Sequence, residues 1–277
     1  MKKKLVFVMT ADGESEGNRA LAIHFASIKR YSHIFDEAMC VIHEFSNAYE
    51  GETSALADRF IDSSKAKETV VSVRKIKDED VPLFTYESEV LYRDVLCGKE
   101  NDDKVIFFAH AKGYKRYSDT TIDQNQLDAW NMALWFLSLE YYEHHLYNLE
   151  NNVNACFSGT FYGQFSRERI IMYSGTFYWV IPNSIKSSLN EIEMPTNRWF
   201  AEMLPFKTEK NCYYFPNIVL YPINPYYHST RVLNGLLSLV ENDYPGCFSK
   251  YKEYVCYLNE MTGLDIKDCT LEIKDEC

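Results

Sequence analysis

The sequence has no CxxC pair, no HExxH, and no spacing of cysteine and histidine that would gather metal ligands. Its eight cysteines (Cys40, Cys97, Cys156, Cys212, Cys247, Cys256, Cys269 and Cys277) and seven histidines are scattered along the chain. A zinc site is therefore not expected, and dispersed thiols without an export signal fit a reducing cytoplasm. No apolar run reaches the roughly 18 residues of a membrane span. The apolar run before Thr10 and Asp12 is about five residues, too short for the roughly 7–15 residues of a secretory core. A phosphate-binding P-loop, GxxxxGK[ST], is absent from the sequence. So are internal repeats and low-complexity linkers. Positive charge is in deficit too: 29 basic against 40 acidic residues leave a net charge of −11. That balance argues against a general nucleic-acid partner, since proteins that hold phosphate backbones present a basic face.

What is present is a chain of 277 residues with ample material for a core, rich in Tyr (21) and Phe (17). Aromatics at that level suit both β-strands and the walls of a sugar-binding groove. Strand-like and helix-like segments alternate. Residues 4–9, 38–43, 69–73 and 104–110 read as strands, and 18–31, 52–64 and 85–96 as helices. This alternation predicts βαβ units and a mainly parallel sheet, whose strands are buried on both faces. Residues 123–150 read as one long helix or two joined ones, 153–157 and 170–180 as strands, and Pro182 as the opening of a helix. A short helix is expected over 196–204. After an irregular, proline-marked connection, 226–242 and 248–261 read as two terminal helices.

Ligands of such sheets bind beyond the carboxyl ends of the strands. Two loops stand there, after Met9 and after Ala109. The second is the unusual one: in VIFFAHAKGYKR, residues 105–116, an apolar strand runs straight into His110, Lys112, Lys115 and Arg116. Gly113 permits a tight turn and close backbone approach. The cations suit a phosphate or diphosphate, with lysine as a point charge and arginine gripping two oxygens. Solvated loop residues are the plainer account of Lys115 and Arg116. A second feature is YSGTFYWVIP, residues 173–182, where a glycine inside an aromatic strand marks a bulge or a ligand approach. The third, NRWFAEMLP at 197–205, sets Arg198 and Glu202 four apart, as an ion pair on one helix face or as a base with its orienting cation.

In this order and spacing the three features resemble a family of bacterial glycosyltransferase-like proteins of capsular and other surface-polysaccharide synthesis. That family carries H-x-K-G at a strand end and a Trp- and Met-containing helix. An S-G-N/T-F-x-W strand and an R-x-x-x-E-x-x-x-P helix follow. Here these are His110–Gly113, Trp130 to Met132, Ser174–Trp179, and Arg198 and Glu202 with the nearby Pro205. The match spans roughly residues 100–206. It implies an α/β, GT-A-like (Rossmann-like) domain over 1–206, with a mixed, mainly parallel sheet flanked by helices. Residues 207–277 are expected to form a C-terminal helical extension packed on the same domain.

The implied activity moves a sugar from a nucleotide-sugar, a UDP-sugar first of all, to a glycan or lipid-linked acceptor. A nucleotide-binding relative without turnover is the alternative. Glu202 is the implied general base, with His110 and Lys112 at the donor diphosphate. Thr10, Asn18, Gly113, Arg116, Ser174, Gly175, Thr176, Trp179 and Arg198 are the implied binding residues. The implied place is the cytoplasm, with room for peripheral contact at the inner membrane. Such enzymes usually hold Mn²⁺ or Mg²⁺ on an Asp-x-Asp, but the tripeptide here is His110-Ala111-Lys112. No cofactor is firmly expected, and Lys112 with His110 and Arg116 is expected to stand in for the metal by neutralising the leaving diphosphate. Donor hydrolysis or transfer should therefore persist in excess EDTA and largely vanish in Lys112→Ala. Complete loss with chelator and recovery with Mn²⁺ would overturn the substitution.

Overall fold

The computed structural model describes residues 1–76, 86–111, 123–151, 155–160, 162–165, 170–173, 176–189, 201, 204–205, 211–214, 219–220 and 225–268. Strand β1 (Lys2–Ala11) leads to helix α1 (Arg19–Tyr31), β2 (Glu37–Glu44), α2 (Glu52–Ser63) and β3 (Glu68–Lys75). Helix α3 (Tyr86–Val90) continues through a π-type stretch, Leu91–Leu96, and β4 (Lys104–His110) follows. Next come α4 (Gln124–Leu139), α5 (Tyr142–Asn151), β5 (Ala155–Gly159), β6 (Tyr162–Phe165), β7 (Ile170–Tyr173), β8 (Tyr178–Val180) and α6 (Pro182–Leu189). The chain closes with β9 (Asn211–Tyr214), β10 (Val219–Leu220), α7 (Pro225–Asp243) and α8 (Cys247–Thr262).

Seven strands form the main sheet in the order β3-β2-β1-β4-β8-β5-β9, and β10-β6-β7 form a small one. In the main sheet β8 alone runs antiparallel to its neighbours, β4 and β5. The α/β, Rossmann-like arrangement expected from the sequence is thus the one observed: a mixed, mainly parallel sheet with helices on both faces. Side-chain alternation fills both faces. Leu5, Phe7, Met9 and Phe107 point into a core shared with α1, α2, α4, α7 and α8. Val6, Val8, Ile106 and Phe108 point into a second core with Val90, Leu91, Val95 and Ile185.

The expected strand over 104–110 has the observed bounds, and the paired helices after it are separate, meeting at Glu140 and Tyr141. The single strand expected over 170–180 is instead two strands in two sheets, β7 ending at Tyr173 and β8 beginning at Tyr178. Strand β6 was not foreseen, nor were β9 and β10 within the proline-marked connection. All are at most four residues long, too short to show a period. The helix expected over 196–204 falls mostly outside the described residues. Among the described residues no helix is long and apolar enough to cross a membrane.

Two of the three fully buried histidines among the described residues, His145 and His43, bear on stability. His145 on α5 donates from Nε2 to the Leu137 carbonyl (3.2 Å), so its Nδ1 accepts from the Ser158 hydroxyl (2.8 Å). His43 on β2 is fully buried, and neither ring nitrogen has a hydrogen-bond partner among the described residues. Burial pushes each pKa down to about 3, helped at His43 by the Arg74 charge and at His145 by His144 against the favourable Leu137 carbonyl. Unfolded histidine titrates near 6.5, so between about pH 6.5 and 3 the unfolded chain binds protons that the folded chain refuses. The folded state is therefore favoured fully above about pH 6.5 and loses about 1.4 kcal/mol per pH unit per histidine as pH falls. Urea-unfolding midpoints should drop from about pH 7 to about pH 5, and His43→Phe should make the drop shallower. A variant slope equal to that of the wild type would show His43 titrating normally in the fold.

Candidate functional site

The carboxyl ends of β1, β2 and β4 lie side by side, since Val8 pairs with both Val41 and His110 and Thr10 pairs with His43. Strand β8 descends from the same edge. Its register against β4 sets Phe108 opposite Tyr178, and two residues further on His110 comes opposite Thr176. The Thr176 hydroxyl and His110 Nδ1 are hydrogen-bonded, which fixes the plane of the imidazole. Thr176 is fully buried at a φ of 52°, a left-handed conformation that a β-branched residue seldom adopts. Its backbone is held there by Phe177, whose ring lies edge-on to Trp135 at 5.1 Å and to Phe107 at 6.1 Å.

The loop after β1 is held from below by one carboxylate. Glu52, fully buried at the start of α2, accepts from the Gly13 amide (2.8 Å) and the Ser15 amide (3.1 Å). Asn47 donates to the Asp12 carbonyl (2.6 Å), locking this loop to the one after β2. Gly13 has φ +85°, and a Cβ there would sit 2.8 Å from the Asn47 carbonyl oxygen, so only glycine fits. Thr10 reaches Asp12 at 3.5 Å. Asn18 caps α1, its side chain accepting from the Leu21 amide (3.2 Å). Arg19 then grips Asp128 of α4 with two nitrogens, tying the N-terminal turns of α1 and α4 together at this edge.

Of the residues expected from the sequence, Thr10, Asn18, His110 and Thr176 gather at this edge. Trp179 is fully buried: its indole donates to the Ser138 carbonyl (3.0 Å) and packs on Phe107 and Phe35. Its contacts are those of the core. Lys112, Gly113, Lys115, Arg116, Ser174, Gly175, Arg198 and Glu202 lie outside the described residues. Ala201, which precedes Glu202, is buried, with its carbonyl bonded to the Tyr178 hydroxyl (2.9 Å) and its amide to Ser88 (3.1 Å). The chain entering Glu202 is thus fastened to β8 and α3.

Three residues were missed. Glu52 was read only as part of a helix start. His43 was read only as a strand end, yet it lies beside Thr10 with the Tyr86 ring 5.0 Å away. Asn131 on α4 is 1% exposed, and its amide has no hydrogen-bond partner among the described residues. It shares a helix face with Trp135 and Ser138, which contact Phe177 and Thr160, and stands one turn nearer the carboxyl edge. No sequence pattern separates such an amide from a solvated one. An open cleft of about 480 Å³ flanks the ends of β2 and β3, lined by Glu44, Phe45, Tyr49, Thr53 and Lys75.

The tripeptide at the end of β4 is His110-Ala111-Lys112, which offers no carboxylate to a divalent cation. Among the described residues no group of three His, Cys, Asp or Glu is placed to hold a metal.

No protein-family model matches the chain, and no curated protein matches it. Among solved structures, the crystal structure of 4-diphosphocytidyl-2C-methyl-D-erythritol synthase is similar at 12% identity and a TM-score of 0.40. The alignment covers 84% of this chain and 99% of that one.

Glu52→Ala should free the Gly13 and Ser15 amides and lower stability by about 1–3 kcal/mol. Hydrogen exchange at those two amides should accelerate, while Glu52→Gln, which keeps an acceptor, should lose less. Unchanged protection in Glu52→Ala would show that the loop is held by other contacts.

Proposed function

We propose that this chain is a glycosyltransferase moving a sugar from a nucleotide-sugar donor, a UDP-sugar, to a glycan or lipid-linked acceptor in surface-polysaccharide synthesis. One observation carries the reading: the β4–β8 register that puts His110 against Thr176 at the carboxyl edge of a mainly parallel sheet. In such sheets that edge is where a ligand sits. The order of the H-x-K-G, S-G-T-F-x-W and R-x-x-x-E motifs supplies the reaction class.

In this reading the nucleotide lies across the loop that Glu52 holds, near Thr10 and Asn18. The diphosphate meets His110, Lys112 and Arg116, with Gly113 allowing close backbone approach. Those cations take up the charge that develops on the leaving diphosphate, the part of the barrier that fixed electrostatics lowers best. Ser174, Gly175 and Thr176 shape the junction of donor and acceptor. Glu202 removes the acceptor hydroxyl proton and Arg198 orients it, so displacement is direct and the anomeric centre inverts. A binding protein without turnover is the second reading, favoured by the missing Asp-x-Asp.

Calorimetric titration with UDP, other nucleoside diphosphates and their sugars tests both. A UDP-sugar should bind, and His110→Ala and Thr176→Val should each weaken it about tenfold, on the order of 1.4 kcal/mol. Product NMR should show inversion. Binding without hydrolysis or transfer selects the second reading, and failure of every nucleotide to bind sinks both.

A further inference from the structure

Strand β3 is the outermost strand of the main sheet, and among the described residues no strand lies beyond it. Its sequence, ETVVSVRK, is rich in β-branched residues, yet its burial pattern is open throughout. Val70 is 58% and Val73 46% exposed. A third exposed side chain, Ile61 at 49%, belongs to the same edge. Ile61 lies three residues before Ser64, whose hydroxyl is bonded to Thr69 of β3 (2.9 Å), so the two share the β3 side of α2. Arg59 marks the opposite side, with its guanidinium 4.6 Å from the Phe25 ring of α1. Three of the eight large exposed hydrophobics among the described residues therefore collect along one sheet edge. A long strand with exposed valines and unpaired backbone groups is a template for another strand unless it is covered.

We propose that β3 pairs antiparallel with β3 of a second copy of this chain, giving a closed dimer with a continuous sheet. A two-fold axis normal to the sheet keeps the helix faces on one side, so directly opposed residues must share a face. With Val71 on the axis, Thr69 stands opposite Val73, Val70 opposite Ser72, and Glu68 opposite Arg74 of the second copy. Registers shifted by two residues set Glu68 against Ser72 or Ile76 and lose that charge match. In the central register Arg74, which also grips Asp94, gains a second carboxylate. On the helix face, Val73 of one copy comes beside Thr69 of the other, the residue under the Ile61 side of α2. The exposed isoleucine of each copy thereby covers the exposed valine of its mate. Cross-strand pairs of this kind set register and orientation together, which makes the edge self-complementary.

Sedimentation velocity on the full chain, from micromolar to near-millimolar concentration, tests the pairing independently of any activity. The wild type should pass from monomer to dimer and stop at two, because a two-fold contact uses up the edge. Val73→Lys and Glu68→Arg should each raise the dimer dissociation constant at least tenfold. Circular dichroism of the dilute monomers should match the wild type, which separates lost pairing from lost folding. A wild type that stays monomeric, grows beyond two, or dimerises equally well in both variants overturns the proposal.

Discussion

The antiparallel pairing of β8 with β4 is the constraint on which the candidate site depends. Four strands on one side of the sheet run parallel and would place all their carboxyl ends at one edge with nothing returning. Because β8 enters from that edge, its first residues meet the last residues of β4. His110 and Thr176, 66 positions apart, become neighbours for this reason alone. The pairing also carries Trp179 and Phe177 into the aromatic interior with Phe107 and Trp135. The conformation of Thr176, of the kind that costs about 1–3 kcal/mol, is thus braced by the most densely aromatic part of the core.

The two edges of the sheet are finished differently. At the amino edge, Glu37 is paired with Lys104, and Lys4 donates to Asn101 at 3.1 Å, so charges that are nearly buried have partners. At the carboxyl edge, the buried His43 and Asn131 side chains have no hydrogen-bond partner among the described residues. Each such group costs about 1–3 kcal/mol relative to a satisfied one. A fold selected for stability alone would satisfy both edges alike. The asymmetry falls on the edge where a mainly parallel sheet binds ligands, and there the loop geometry is fixed by Glu52 and Asn47.

The fold was legible where burial imposes a period. Strand β4 is apolar without interruption from Val105 to Ala109 because both its faces are covered, and the sequence shows its bounds directly. The βαβ alternation through residue 110 is visible for the same reason. The site was legible only in part. His110 stood out as a polar residue at a buried strand end, and the Ser-Gly-Thr step signalled an irregularity. That step read as a bulge or a ligand approach within one strand, whereas β7 and β8 on its two sides belong to different sheets, a tertiary choice with no local pattern. Glu52 and His43 were missed because their roles come from residues distant in sequence, Gly13 with Ser15 and Thr10 with Arg74.

Helix α2 serves two parts of the molecule at once, and its faces keep them apart. Leu56 and Phe60 are buried against the sheet, and Glu52, at the carboxyl edge, holds the loop after β1. Ile61, about two and a half turns away, looks outward along β3. Twelve residues at about 1.5 Å each make a rod of about 18 Å, long enough to separate the two ends by most of the sheet's height. A change at the outer face of α2 therefore alters the sheet edge without touching the carboxylate that shapes the loop. The converse also holds: Glu52 can be lost while the packing of Leu56 and Phe60 keeps β3 in register. The elements that prepare the loop and those that leave the edge exposed are joined by one helix, but not by one set of contacts.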